Sequence, residues 1–302
     1  MSGRPVRTPR NAPGEVVALF AALVSSVGYV SARRGLDDVS AEVLVTATTA
    51  VSVVLLVPLV FVLDQPRLTP AAFAVFVVSG LLGSGLGRFL LSSVIHLVGA
   101  GVAHSVKSAS PVVAAVFSVV FLGETLTVAL AVGILVVVAG LVLLTRATSE
   151  DDGRRTAGIS TTAAVSVLVV CWFGVTPVVR KYGLSVLDAP LLPALATNFF
   201  VGMLVGLAIA LYRNPGQLSV ALHSDSRRYL VLTGLCWTVA ITAYFAALGL
   251  ADAVVVVPIF NASPLFTVAL GIFFLGERQA ARKTTVVGAL VTVCGVVLIT
   301  LA

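Results

Sequence analysis

Charge is scarce in this chain: of 302 residues, 19 are lysine or arginine and 13 are aspartate or glutamate, so only 11% ionise. Soluble domains carry roughly 25% charged residues, and disordered chains stay solvated through low hydrophobicity and high net charge. Both classes are excluded. Cysteine is scarce as well. Cys171, Cys236 and Cys294 each lie in an apolar run without CxxC spacing, which argues against a disulfide framework and reads as small buried hydrophobes. With three dispersed histidines beside them, no metal-ligand spacing exists, and neither a metal nor a cofactor is expected. The net charge of 19 − 13 = +6 does not indicate nucleic acid, because no basic stripe is interleaved with aromatics. The basic residues fall mostly in short connections, where they bear on membrane orientation.

What the chain has is apolar length. Hydrophobic residues make up 59% of it, and Val43–Leu63, Leu126–Leu144, Ile159–Val179 and Val286–Ala302 contain no charged side chain. Runs of about 18–25 such residues match the ~30 Å hydrocarbon core of a bilayer. Polar punctuation predicts ten spans, at 15–32, 41–63, 70–95, 101–122, 126–145, 158–180, 190–212, 229–250, 253–275 and 284–302. Residues 1–14 form an N-terminal tail whose Arg4, Arg7 and Arg10 superficially resemble a signal peptide, but nine further spans follow, so the first is read as a retained helix. The most hydrophilic stretch, 147–157, separates a first unit at 15–146 from a second at 158–302.

The two units repeat each other. Ala109-Ser110-Pro111, a ten-residue apolar interval and Leu122-Gly123-Glu124 recur 153 residues later as Ala262-Ser263-Pro264 and Leu275-Gly276-Glu277. After a two-residue shift, Gly133 and Gly140 correspond to Gly288 and Gly295. Low complexity aligns any two Val/Ala-rich helices, but it does not place Pro, Glu and two Gly together. Five spans is an odd number, so the copies must insert in opposite orientations. Such inverted repeats commonly build a midplane cavity opened alternately to each side. The expected fold is an all-α membrane protein of ten transmembrane helices in two inverted five-helix repeats.

These residues resemble the EamA-type drug/metabolite transporter superfamily, whose five-span unit is usually found twice. The Pro-to-Leu-Gly-Glu helix of both halves and the glycine-spaced helix after it carry the resemblance. Ser26-Val27-Gly28-Tyr29 and Trp172-Phe173-Gly174 add a weaker match to the family's Trp-Gly pattern, the first copy lacking the Trp. The resemblance implies a ten-helix secondary transporter of small metabolites in the cell membrane, working without ATP hydrolysis and not an enzyme. It names no substrate. Expected partners are a small-molecule substrate and the lipid bilayer; a homodimer is compatible with the pattern.

Pro111 and Pro264 sit about ten residues into their spans, where a proline removes one backbone donor and frees a carbonyl near mid-membrane. With Pro258, they are the positions expected to kink or gate. Glu124 and Glu277 end their helices against the macrodipole, which calls for a partner or for membership of the next helix's N-terminus. They read as anchors rather than ligands.

The candidate substrate-binding residues centre on two cations inside spans. Lys107 shares a helical face with His104, Ser108, Pro111, Ala115 and Ser118, a polar stripe that must face protein or water. Arg88 follows Gly80, Gly83, Ser84, Gly85 and Gly87, small residues that admit a neighbouring helix. No acidic residue lies deep in any span, so an anionic ligand is one of the ways to compensate a buried cation. Lys107, with His104 and Arg88, is therefore expected to attract a negatively charged group of the substrate. His104-x-x-Lys107 also resembles the sugar-phosphate translocator branch, but Val257 and Phe260 stand at the matched positions of the second half, so specific sugar-phosphate exchange is not implied. Ser108, Asn261, Trp172, Trp237 and Tyr244 complete the candidates, as does Tyr29 among the aromatics. His96 and His223 read as boundary and loop residues.

Orientation is contested within the sequence. The resemblance implies cytoplasmic termini, yet basic residues number six on the N-terminal side (Arg4, Arg7, Arg10, Arg67, Arg180, Lys181) and eleven opposite, which by the positive-inside rule places the N-terminus outside. Three alternatives stand beside transport of a small polar metabolite. An exporter of lipophilic cations would want a buried carboxylate. A membrane enzyme acting on lipid headgroups would need clustered Asp, His or nucleophiles near a surface. A non-transporting scaffold would show no flux.

Overall fold

The computed structural model describes residues 12–36, 38–87, 89–91, 94, 106–148, 159–213, 215–216, 219, 226–275 and 283–302. Among them there is no strand. In chain order the helices are α1 (Ala12–Gly35), α2 (Ala41–Val62), α3 (Pro70–Ser79, continuing in π-helical form through Gly80–Leu86), α4 (Ser110–Phe117, then π-helical through Ser118–Leu122) and α5 (Val128–Thr148). The second half has α6 (Ile159–Ser185), α7 (Leu191–Arg213), α8 (Arg227–Leu250), α9 in two pieces (Ala253–Asn261 and Ser263–Leu275) and α10 (Lys283–Leu301). Nine described helices are long and apolar enough to cross a membrane, and Ser110–Leu122 is a shorter apolar one.

Local chemistry starts these helices where the polar punctuation predicts. Pro70 opens α3 behind Thr69, whose hydroxyl accepts the Ala72 N–H at 3.2 Å. Thr127 does the same for α5, accepting from Leu130 at 3.1 Å. Each satisfies a donor that the first turn leaves without a partner.

Packing shows the inversion directly. Two pairs of corresponding helices, α5 with α10 and α2 with α7, lie side by side and antiparallel, whereas α1 packs on α8 and α3 on α6. A Cβ on Gly140 of α5 would meet the Thr292 backbone nitrogen of α10 at 2.5 Å; one on Gly288 of α10 would meet the Leu144 nitrogen of α5 at 2.8 Å. Gly133 likewise faces Ile299, and Gly295 faces Val137. Residue numbers rise along one helix as they fall along the other, so four glycines make a self-complementary seam of near-touching backbones. In α2 and α7, Gly206 faces Thr46, and Arg213 at the end of α7 pairs with Glu42 at the start of α2 at 3.2 Å. Two copies of a helix packed antiparallel on their own duplicates require an upside-down second copy.

The perimeter is apolar and exposed, as at Val54, Phe61, Val128, Leu290 and Leu301, an outer surface suited to lipid. Two sequence expectations change here. Cys171 and Cys294 are exposed on this perimeter rather than buried, and only Cys236 is partly covered; a small apolar side chain serves a lipid-facing position as well as a core one. Helix α6 runs through 180 to Ser185, so Arg180 and Lys181 are not loop charges but helical residues, each 8% exposed.

Candidate functional site

The two proline helices break at equivalent places. In α4 the chain turns at Ser108–Ala109, with the Ala109 N–H donating to Val106 O at 3.0 Å and the Val112 N–H to Ala109 O at 3.1 Å. In α9 the turn is at Ala262, and the matched bonds run from Ala262 to Ile259 at 3.1 Å and from Leu265 to Ala262 at 2.9 Å. Each pair spans three residues, the tight turn that a helix uses where the regular ladder is interrupted. The cause is Pro111 or Pro264 two residues later, which starts the next piece and has no N–H for the carbonyl four residues back. Those carbonyls belong to Lys107 and Phe260. The first piece of α9 packs against α4, so the two breaks belong to one interface between the repeats. Pro258 does not interrupt its helix.

At the α4 break, Ser108, Pro111, Ala115 and Ser118 are all buried, so the polar stripe faces protein. Ser118 Oγ has no hydrogen-bond partner among the described atoms. The Lys107 ammonium lies over the Phe173 ring of α6, 4.8 Å from its centroid. An aromatic face attracts a cation, so α6 holds this charge in place at the break. His104 and Arg88, named with Lys107 by the sequence, lie outside the described residues, as do Glu277, His96 and His223.

The small residues of α3 admit two neighbours. Towards α7, Gly80 faces Val201 and the Asn198 carbonyl, and Gly85 faces Val205. Towards α6, the row Ser79, Gly83, Gly87 receives the row Arg180, Thr176, Trp172. Within this contact, α3 is π-helical, a form that frequently marks functional sites. The Trp172 indole donates to Leu82 O at 2.8 Å. Gly87 makes room for it, since a Cβ there would stand 2.3 Å from the same oxygen and 3.0 Å from the indole nitrogen. Ser79 Oγ donates to Asn198 Oδ1 at 2.8 Å, and Asn198 Nδ2 donates to Ser84 Oγ at 2.8 Å. Arg180 Nε donates to Ser79 Oγ at 3.1 Å, and its guanidinium lies 5.0 Å from the Phe245 ring centre.

Glu124 sits at the N-terminal face and joins the repeats. Gly123 turns the chain off α4 at φ +67°, a conformation that favours glycine. Glu124 then accepts from the Ala253 N–H at 2.8 Å and the Val254 N–H at 2.9 Å, capping the positive end of α9. From the other side of the α8–α9 turn, Lys181 Nζ donates to Leu248 O at 2.7 Å and Ala251 O at 2.9 Å, covering the last carbonyls of α8. Burial raises the Glu124 carboxyl above the ordinary glutamate range, against the two backbone N–H bonds that hold it down. The next helix, α5, is capped by Thr127 instead.

Contacts hold the remaining candidates as follows. Trp237 is 8% exposed and fills the space over Gly28, where a Cβ would stand 2.6 Å from its ring; Tyr29 meets it edge-on at 5.6 Å. Tyr244 is buried and stacks on Phe260 at 4.1 Å between ring centres. Asn261 Nδ2 donates back to Val257 O of its own helix at 2.9 Å. Thus Trp172, Lys107 and Ser108 fall on the α3–α4–α6 side, whereas Trp237 belongs to the α1–α8 contact. The bulky and small partners are exchanged between the two halves: tryptophan on α8 against glycine on α1, tryptophan on α6 against glycine on α3. A recess of about 640 Å³ near Asp64, Arg67 and Pro193 lies at the membrane boundary, away from both breaks.

The EamA-like transporter family model matches residues 12–146 and again 161–301. A solved crystal structure shares the fold with a TM-score of 0.76 at 17% sequence identity, over 97% of this chain and 98% of its own. No curated protein matches the sequence. With two family units covering nearly all of a multi-pass chain, and α5 and α2 packed antiparallel on their duplicates α10 and α7, the protein belongs to the EamA-like transporter family.

Proposed function

We propose that this transporter moves a small polar metabolite bearing a negative group, by alternating access between its inverted repeats. The observation that carries the proposal is the matched pair of broken helices, with Lys107 one turn before Pro111 at the α4 break. Discontinuous helices near the midplane are where repeat transporters commonly bind solute, because unwound backbone offers polar groups inside the membrane. A cation at such a place costs several kcal/mol unless water, carbonyls, an aromatic face or an anion compensates. Here Phe173 supplies the face, and the substrate's anion supplies the rest when bound. Glu124 and Lys181, being tied to backbone at the N-terminal face, serve as the joint about which α8 and α9 tilt rather than as ligands.

Purified protein in liposomes provides the test, with counterflow of lactate against lactamide and of glycerol 3-phosphate against glycerol. The wild type is expected to favour the anion of at least one pair. Lys107→Gln is expected to reduce that anion's flux about tenfold, some 1.4 kcal/mol, while neutral flux stays within a factor of two. Equal flux of charged and neutral members, or an unchanged anion preference in Lys107→Gln, would refute anion recognition at the break.

A further inference from the structure

The sequence places Arg180 at the end of a span, yet the structure carries its guanidinium deep into the bundle. Ser79, to which it donates, is nine residues beyond Pro70 on α3. At 1.5 Å per residue that is roughly 13.5 Å from the start of the helix, close to the middle of a ~30 Å hydrocarbon layer. Arg180 stays charged at any accessible pH, and an ionisable side chain at this depth marks a functional site by default.

The surroundings specify the chemistry. Arg180 and Trp172 reach the same Leu82–Gly83 peptide from two turns of α6: the indole donates to Leu82 O at 2.8 Å, and Nη2 stands 2.0 Å from where a Gly83 Cβ would be. Glycine at 83 is thus what seats the guanidinium, and Leu82, Gly83, Trp172 and Phe173 around it are half-buried rather than sealed. Ser79 is fixed in turn through Asn198 and Ser84. A rigid fork of donors held beside an aromatic face suits a planar or tetrahedral oxyanion.

We infer that Arg180, seated on Gly83 beside Trp172, is a second oxyanion subsite on the transport path, for a carboxylate or phosphate group of the substrate. It rests on the anion-transport proposal above. Phe173, which holds Lys107, adjoins Trp172 on α6, so a single anionic group passes from one cation to the other as the crevice opens from side to side.

Quenching of Trp172 fluorescence tests this without a known substrate. The chain has two tryptophans, so Trp237→Phe leaves Trp172 alone. Iodide is expected to quench it, and inorganic phosphate or acetate at constant ionic strength to relieve the quenching. In that background Arg180→Gln should lower the iodide quenching constant at least two-fold and leave quenching by neutral acrylamide unchanged. Arg180→Lys should keep most of the effect. Gly83→Ala, which keeps the charge but fills its seat, should lower it as Arg180→Gln does, so a folding defect peculiar to one variant cannot produce the pattern. Equal iodide quenching with and without the guanidinium, no relief by either oxyanion, or an indole that neither quencher reaches would overturn the subsite. If Lys107→Gln alone changes iodide quenching, the subsite is wrong and the Lys107 proposal stands; if the wild type shows no anion preference in counterflow, the parent proposal fails on its own measurement.

Discussion

Glu124→Ala is expected to lower the unfolding free energy by about 3 kcal/mol, because hydrogen bonds to a charged group contribute roughly 1.5–3 kcal/mol each and are not fully additive. The substitution leaves the buried Ala253 and Val254 N–H groups without their acceptors and removes the charge opposite the α9 dipole. Glu124→Gln keeps one acceptor oxygen and should recover about half. Thermal unfolding in detergent gives the ranking wild type, Gln, Ala; an alanine variant as stable as wild type would mean that the joint carries no load. The pH dependence has a defined sign. A carboxyl that burial raises in the folded state holds its proton longer than in the unfolded chain, so the proton-linked increment of stability, distinct from the two hydrogen bonds, is fully present below the unfolded value near 4.5 and is lost as pH rises through the folded one. Relative to Glu124→Gln, the wild type should lose stability across that interval.

Gly140→Leu is expected to cost more than about 3 kcal/mol, at or beyond the upper end of overpacking penalties. The first side-chain atom alone would stand 2.5 Å from the Thr292 nitrogen and 2.9 Å from the Gly288 carbonyl, both backbone. No rotamer change relieves a backbone clash, so α5 and α10 must separate. Gly288→Leu should cost a similar amount, since its Cβ meets the Leu144 nitrogen at 2.8 Å across the same pseudo-two-fold seam. Leu135→Ala, at a lipid-facing position 58% exposed, is the control and should cost little. Monodisperse yield and melting temperature of the three variants check the seam; a Gly140→Leu protein that assembles and melts normally would exclude backbone contact there.

The architecture was legible because it depends on patterns that survive without coordinates. Ala-Ser-Pro to Leu-Gly-Glu, repeated at 153 residues, located both helix breaks to within two residues. The seven-residue glycine spacing located the α5–α10 seam. Arg180 and Lys181 were missed because a charge normally ends a hydrophobic run, and Val179 is followed by two. The available signal was downstream: Tyr182-Gly183-Leu184 continues the helix, and the first strong turn is Asp188-Ala189-Pro190. That Trp172 meets the Leu82 carbonyl depends on the π-helical course of α3, which glycine content alone does not encode. The partner of Glu124 lies 129 residues away in the other repeat, beyond the reach of any local capping rule.

The most direct test places single cysteines at the two breaks, Ala109→Cys or Ala262→Cys, in a chain with Cys171, Cys236 and Cys294 replaced by serine. A membrane-impermeant maleimide is then applied from one side of sealed vesicles or the other. A wet crevice that opens by turns predicts that both positions react from either side. Labelling from neither side, or only after the bilayer is dissolved, would show helices packed dry against their neighbours and would contradict alternating access at these breaks.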